Sequence, residues 1–224
     1  MNIGSDSNTE NATESAVDDS LDTRNRLLFT ALRLYAREGI ESVSLRRISA
    51  AAGSKNSAAM HYHFTNKLGI LEALVEMIAR ELLQIDTTLQ LENGPPKSLH
   101  EACFGTVKPL AVLARTRPWG YDALRFMSLI VSENKKEVAD IVKRIYETFW
   151  NRVDTGLARL LPDLPPDIRR LRLMFMSVNV IHGVASAGLL AYTPLGDLSH
   201  FDDDALLNQL VDYMTAGLQA PISA

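Results

Sequence analysis

Between Ser44 and Lys67 the chain concentrates side chains that hydrogen-bond nucleobases or neutralise phosphates. Lys55, Asn56, Ser57 and Ala58 are small, polar or cationic and stand together at the start of one short segment. Asn suits a two-point contact with adenine, and a small apolar group such as Ala58 packs on a thymine methyl. Asn56 and Ser57 are therefore the candidates for base readout. Ser44, Arg46 and Arg47 open the preceding segment, where free backbone N–H groups and positive charge suit a phosphate. His61, Tyr62, His63 and Lys67 are the further phosphate candidates.

Such groups need short helices to present them. Ser44 has the hydroxyl of a helix cap, and Leu45, Ile48 and Ala51 or Ala52 fall on one inward face, which leaves Arg46 and Arg47 pointing outward. Gly53 follows the small run Ala50-Ala51-Ala52, as a close helix crossing with a left-handed corner requires. In the stretch from Asn56 to Phe64, Met60 and Phe64 are apolar anchors four apart, so the polar front of this second helix is free to enter a DNA groove. Ahead of both, Leu27, Leu28, Ala31, Leu34 and Tyr35 mark one face of a helix expected from Asp22 or Thr23 to Glu38, stopped by Gly39.

Charge separates this module from the rest. The 224-residue chain carries −4 overall, yet residues 23–67 hold eight basic groups against two acidic ones. Residues 1–22 hold Asp6, Glu10, Glu14, Asp18, Asp19 and Asp22 with no Lys or Arg, which reads as a disordered acidic tail. They contain no apolar secretory core, and the Asn11-Ala12-Thr13 sequon matters only in a secreted protein. One cysteine, Cys103, excludes an intrachain disulfide and fits a reducing cytoplasm. A compact positive head beside acidic segments is the asymmetry of a DNA-binding domain on a sensing body.

The body reads as helix throughout, so the fold class is all-α. Leu68, Leu71, Val75, Ile78, Leu82, Ile85 and Leu89 recur at spacings of three and four and predict one long linking helix over 66–91, broken by Gly94-Pro95-Pro96. Further helices are predicted at about 98–116, 119–133, 135–161, 165–192 and 203–218, separated by Pro118, the prolines between 162 and 166, and Pro194. From Leu173 to Gly196 there is no charged residue, and Arg169, Arg170 and Arg172 flank one end as in a membrane anchor. Ser177, Asn179, His182 and Ser186 interrupt that stretch, and a helix packed between a core and a twin subunit is the preferred reading.

Ala52-Gly53, then Tyr62-His63-Phe64-Thr65-Asn66-Lys67, then Leu68 to Leu71 resembles the DNA-binding domain of the tetracycline-repressor (TetR) family of bacterial transcription regulators, over about Thr23 to Leu74. The resemblance implies an N-terminal three-helix helix-turn-helix domain at 23–67 and a C-terminal helical effector-binding and dimerisation domain at 68–224. It implies a cytoplasmic homodimer on a palindromic operator in double-stranded DNA, most often a repressor, released when a small-molecule effector moves the linking helix. The helix over 165–192 and the last one, with Leu206, Leu207, Leu210, Val211 and Met214, would form a four-helix dimer interface. The family's backbone contacts come from an aromatic three residues before the Phe64 position, the His before it and the following Lys. Here His61 holds the first place, Tyr62 comes one later, and the stretch from Gly53 to Phe64 is one residue longer, which leaves the register of base contacts open.

An effector pocket in such a body is expected among its aromatic and sulfur-bearing residues. Cys103, Phe104, Trp119, Phe126, Met127, Tyr146, Phe149, Trp150 and Phe175 are the candidates, with Asn179 and His182 as polar groups in an apolar helix that need a partner. They imply a largely apolar effector. The rival readings are a partner-regulated DNA-binding adaptor without a ligand and an enzyme. Ser132-Glu133-Asn134-Lys135 has an acyl-transfer spacing at a polar helix junction, and Val184-Ala185-Ser186-Ala187-Gly188 lacks the first glycine of a nucleophile elbow. No cofactor or metal is expected: His61 and His63, two apart on a helix, do not face each other.

Overall fold

The computed structural model describes residues 7–53, 60 and 62–222, and every named element among them is helical. The helices are α1 (Ser7–Glu38), α2 (Leu45–Ala51), α3 (Lys67–Asn93), α4 (Leu99–Thr116), α5 (Gly120–Ser132), α6 (Lys136–Leu160), α7 (Pro166–Ala185) and α8 (Asp203–Gln219), with a 3₁₀ turn at Ala187–Tyr192. Two compact units divide between Leu74 and Val75, inside α3 rather than at residue 67 or 68.

The first unit is built on the inward face of α1. Leu27, Leu28, Ala31, Leu32 and Tyr35 are buried with Ile48 of α2, and with Met60, Phe64, Ile70 and Leu74. α1 begins at Ser7, not near Thr23, so residues 7–22 are helical and the expectation of a disordered tail is corrected for them. No Gly or Pro interrupts the chain between Gly4 and Gly39.

In the second unit α4 packs chiefly on α8 and α5, α5 on α7, and α6 on α7. Cys103, Val107 and Leu113 of α4, Leu124 and Phe126 of α5, Met176 and Val180 of α7, and Val211 and Met214 of α8 fill its core. Local chemistry sets the helix starts: Ser98 Oγ accepts from Glu101 N at 3.1 Å while Glu101 Oε2 accepts from Lys97 N at 2.7 Å, and Asp202 Oδ1 accepts from Ala205 N at 2.8 Å. Gly120 allows the closest approach in the unit. A Cβ there would lie 2.1 Å from Leu113 O and 2.8 Å from Ala114 Cα.

Two expectations for the body change. The helix predicted over 165–192 ends at Ala185, where Ser186 N donates to both His182 O and Gly183 O and the backbone tightens into the 3₁₀ turn. Leu207, Val211 and Met214, expected at a dimer interface, are buried within the chain because α8 turns that face to α4. The three flanking arginines also have internal partners. Arg169 and Arg170 donate to Asp154 at 2.7 and 3.2 Å, and Arg172 donates to Leu218 O and Pro221 O. Among the described residues no helix is long and apolar enough to cross a membrane.

Candidate functional site

In the first unit, Ser44 caps α2 as its hydroxyl predicts, accepting from Arg47 N at 3.2 Å. Gly53 closes the corner after α2 with φ +69°, the left-handed conformation expected of it. The two arginines of α2 then part company. Arg47 donates through Nε and Nη2 to the two oxygens of Glu38 at 2.9 and 2.6 Å, a fork that ties α2 to the end of α1. That pairing holds the Glu38 carboxyl below its ordinary pKa, first through the hydrogen bond and then through the charge. Both arginines are exposed, and Arg46 has no ion-pair partner among the described residues.

The remaining head groups gather around Phe64. Tyr62 is 81% exposed and stands edge-on to His63, with ring centroids 5.0 Å apart. Burial and then the nearby Arg24 charge hold His63 below the ordinary imidazole pKa. Arg24 lies over the Phe64 ring at 5.3 Å, a contact that sequence reasoning missed because nothing local announces a pairing of residues 40 apart. Lys67 Nζ reaches Glu41 O at 3.4 Å and lies 6.0 Å from the Tyr35 ring centroid, which fixes the direction of the ammonium at the first turn of α3. Lys55, Asn56, Ser57, Ala58 and His61 lie outside the described residues.

The second unit holds a cavity of about 450 Å³ walled by α3 to α7. Of the eleven residues expected to line a pocket, Met127, Tyr146, Phe149 and Trp150 do so. The others are placed elsewhere for identifiable reasons. Cys103 is buried toward α8, where it hydrogen-bonds with Thr215 and burial pushes its thiol pKa up. Phe126 is buried core, Phe104 lies under Lys108 Nζ at 5.2 Å, and half-buried Trp119 immediately precedes α5. Phe175 is 53% exposed, and Asn179 satisfies its amide on Phe175 O at 2.8 Å along the same outer face. His182 finds its partner in Ser128, Nδ1 to Oγ at 2.7 Å, linking α7 to α5.

The cavity also has walls that aromatic content could not reveal. α3 contributes Val75, Ala79, Leu82, Leu83 and Asp86, one stripe at helical spacing, with Arg80 beside it. Asp86 is only 7% exposed and accepts from Arg152 of α6 and from Gln90 Nε2 at 3.0 and 2.9 Å. The sequence signal was present: Asp86 is a lone acid on the face shared with Leu82 and Leu89. Pro109, inside α4, lines the same space.

Comparison with known proteins agrees with both halves. The signature described as "Bacterial regulatory proteins, tetR family" matches residues 27–74, and that described as "Tetracyclin repressor-like, C-terminal domain" matches residues 105–217. The chain is similar to the HTH-type nicotine-responsive transcriptional repressor HdnoR of Paenarthrobacter nicotinovorans, 42% identical over 29% of this chain and 31% of that protein. It is similar to the probable acrEF/envCD operon repressor of Escherichia coli K12, 30% identical over 43% of this chain and 44% of that protein. The matched stretches thus span less than half of either curated relative. In fold it is similar to the fatty acid degradation regulator FadR from Bacillus halodurans, with TM-score 0.63, 14% identity and coverage of 89% of this chain and 97% of that one. NalD of Pseudomonas aeruginosa, the secondary repressor of the MexAB-OprM multidrug efflux pump, gives TM-score 0.60, 20% identity and coverage of 89% and 97%. With a head that matches one signature and a body, half of the chain, that matches the other, the protein belongs to the tetR family of bacterial regulatory proteins.

Proposed function

We propose that this chain is a sequence-specific transcriptional repressor, active as a homodimer in the cytoplasm and released from a palindromic operator by a small, largely apolar effector in the α3–α7 cavity. The observation that carries this reading is α3 itself: one unbroken helix bears Lys67 in its first turn and lines the cavity with Val75, Ala79, Leu82, Leu83 and Asp86. A ligand that prefers one position of this helix biases the head that begins it. By linkage, operator DNA weakens ligand by the same factor that ligand weakens DNA.

Arg46, Tyr62, His63 and Lys67 are the described groups proposed to hold phosphates, with Ser44 and Arg47 building the scaffold between them, and Asn56 and Ser57 proposed to read bases. Dimerisation rests on α7, whose Leu171, Met174, Phe175 and Val178 form an exposed apolar stripe at helical spacing. Both curated relatives are named repressors and one is named nicotine-responsive, which supports repression and a small-molecule signal by likeness. A cavity of this size also favours a ligand over regulation by a protein partner alone.

Selection of binding sites from a random duplex pool tests the reading directly. Enrichment of a palindrome, bound with a steep dependence on salt, is the expected result; recovery of unrelated sequences would refute sequence-specific recognition.

A further inference from the structure

The reading of the cavity as an effector site can be carried to the chemistry of the ligand, on which inference the following rests. The cavity wall is mostly apolar, and its charged groups stand on α3 and α6. The charged groups that line it are two guanidiniums, Arg80 and Arg152, and one carboxylate, Asp86. Their remaining hydrogen-bonding capacity is lopsided. Asp86 already accepts from Arg152 and twice from Gln90, which leaves it little room for a further donor. Arg80 has no ion-pair or hydrogen-bond partner among the described residues, and Arg152 keeps N–H groups beyond the one given to Asp86. Two hydroxyls of the wall are already committed: Thr106 donates to Ala102 O and Ser177 to Met174 O. Tyr146, whose ring lines the cavity, has a buried hydroxyl with no partner among the described residues.

We propose that the cavity takes an amphiphile with an apolar body and an anionic, carboxylate-type head, the head held by Arg80 and the free side of Arg152. The spare groups are donors, and donors call for an acceptor. A cationic head is disfavoured on the same geometry. To reach Asp86 it must displace Arg152, which also stacks over the Phe149 ring at 5.5 Å, and it gains only the contact that Arg152 loses. Asp86 thereby has the role of an orienting group: it aims Arg152 and is itself held by Gln90.

Matched ten-carbon probes test this on the full chain: decanoate, 1-decanol and decylamine, titrated by calorimetry and read in parallel as shifts in Tm. Decanoate is expected to bind roughly tenfold or more tighter than the alcohol, the increment of charge-assisted hydrogen bonds. In Arg80→Gln that preference should shrink, and in Arg80→Lys it should largely return. Equal affinity for decanoate and decanol, or a preference for decylamine, overturns the anionic assignment while leaving the cavity an effector site. Failure of all three probes to bind a protein that still selects an operator overturns the effector reading with it.

Discussion

The two units leave different things unfinished. In the head, the apolar groups of α1, α2 and α3 close on one another, and what remains available is polar: Arg46 without an ion-pair partner, exposed Tyr62 and half-buried His63. In the body, Arg169 and Arg170 are spent on Asp154, Arg117 on Glu81 and Arg115 on Asp203 and Asp204, and what remains available is an apolar volume with Arg80 and part of Arg152 at its wall. Protein interiors ordinarily pack to crystal-like density, so an apolar space of about 450 Å³ is sustained at a cost. The contrast teaches that a surface that binds a polyanion and a body that binds an apolar molecule are made by opposite choices about which interactions to leave open.

Breaking an internal pair of the body should have the largest effect. Asp154→Ala strands Arg169, which is 7% exposed, and is expected to cost ~3–5 kcal/mol in urea denaturation. The sign with pH follows from the same pair. Hydrogen bonds from Arg169 and then Arg170 lower the Asp154 pKa, so its contribution is fully present above the ordinary carboxylate range and is lost as pH falls through the lowered value. A wild-type acid limb as shallow as that of the variant would contradict the assignment.

Next in size is Gly120→Ala, which drives a methyl against Leu113 O and should cost about 1–3 kcal/mol or more by overpacking α4 against α5. Retention of the wild-type Tm would show that the two helices separate easily.

Smaller effects sharpen the head's side of the contrast. Arg46→Ala should weaken all duplex sequences alike, by several-fold at low salt, and shallow the salt slope by about one phosphate contact. Arg47→Ala should act instead through stability, because its guanidinium belongs to Glu38. If the two variants change the salt slope equally, the division between them is wrong.

The smallest effect is a pH dependence of operator affinity. His63 is held below the ordinary imidazole pKa in the free protein, and a phosphate favours its charged form, so binding takes up a proton. Affinity should rise a few-fold as pH is lowered toward that range, and His63→Gln should flatten the profile.

Much of the head was legible because its determinants are local. Ser44 lies within three residues of the N–H it caps, Gly53 sits where a left-handed corner is required, and Met60 and Phe64 are one helical turn apart, with Phe64 N bonded to Met60 O at 2.8 Å. The body was legible as helices and much less as a site. Of the aromatic and sulfur-bearing candidates Tyr146, Phe149 and Trp150 line the cavity while Phe126, Phe175 and Cys103 do not, since residue type says that a side chain prefers burial and not which neighbour buries it. The acidic composition of residues 7–22 suggested disorder, yet a stretch free of Gly and Pro continues as helix.

By itself, then, the sequence determined what acts over a few residues: helix periodicity, the cap at Ser44, the turn at Gly53 and the concentration of positive charge between Thr23 and Lys67. The tertiary structure alone decided which groups are already spent. Arg46 and Arg47 are adjacent and chemically identical, but Glu38, nine residues before Arg47, claims only one of them. Asp86 and Arg152 become a pair across 66 residues, and with them the cavity acquires its polar end. Periodicity orients a side chain about its own helix axis, whereas its partner is set by how separate helices pack.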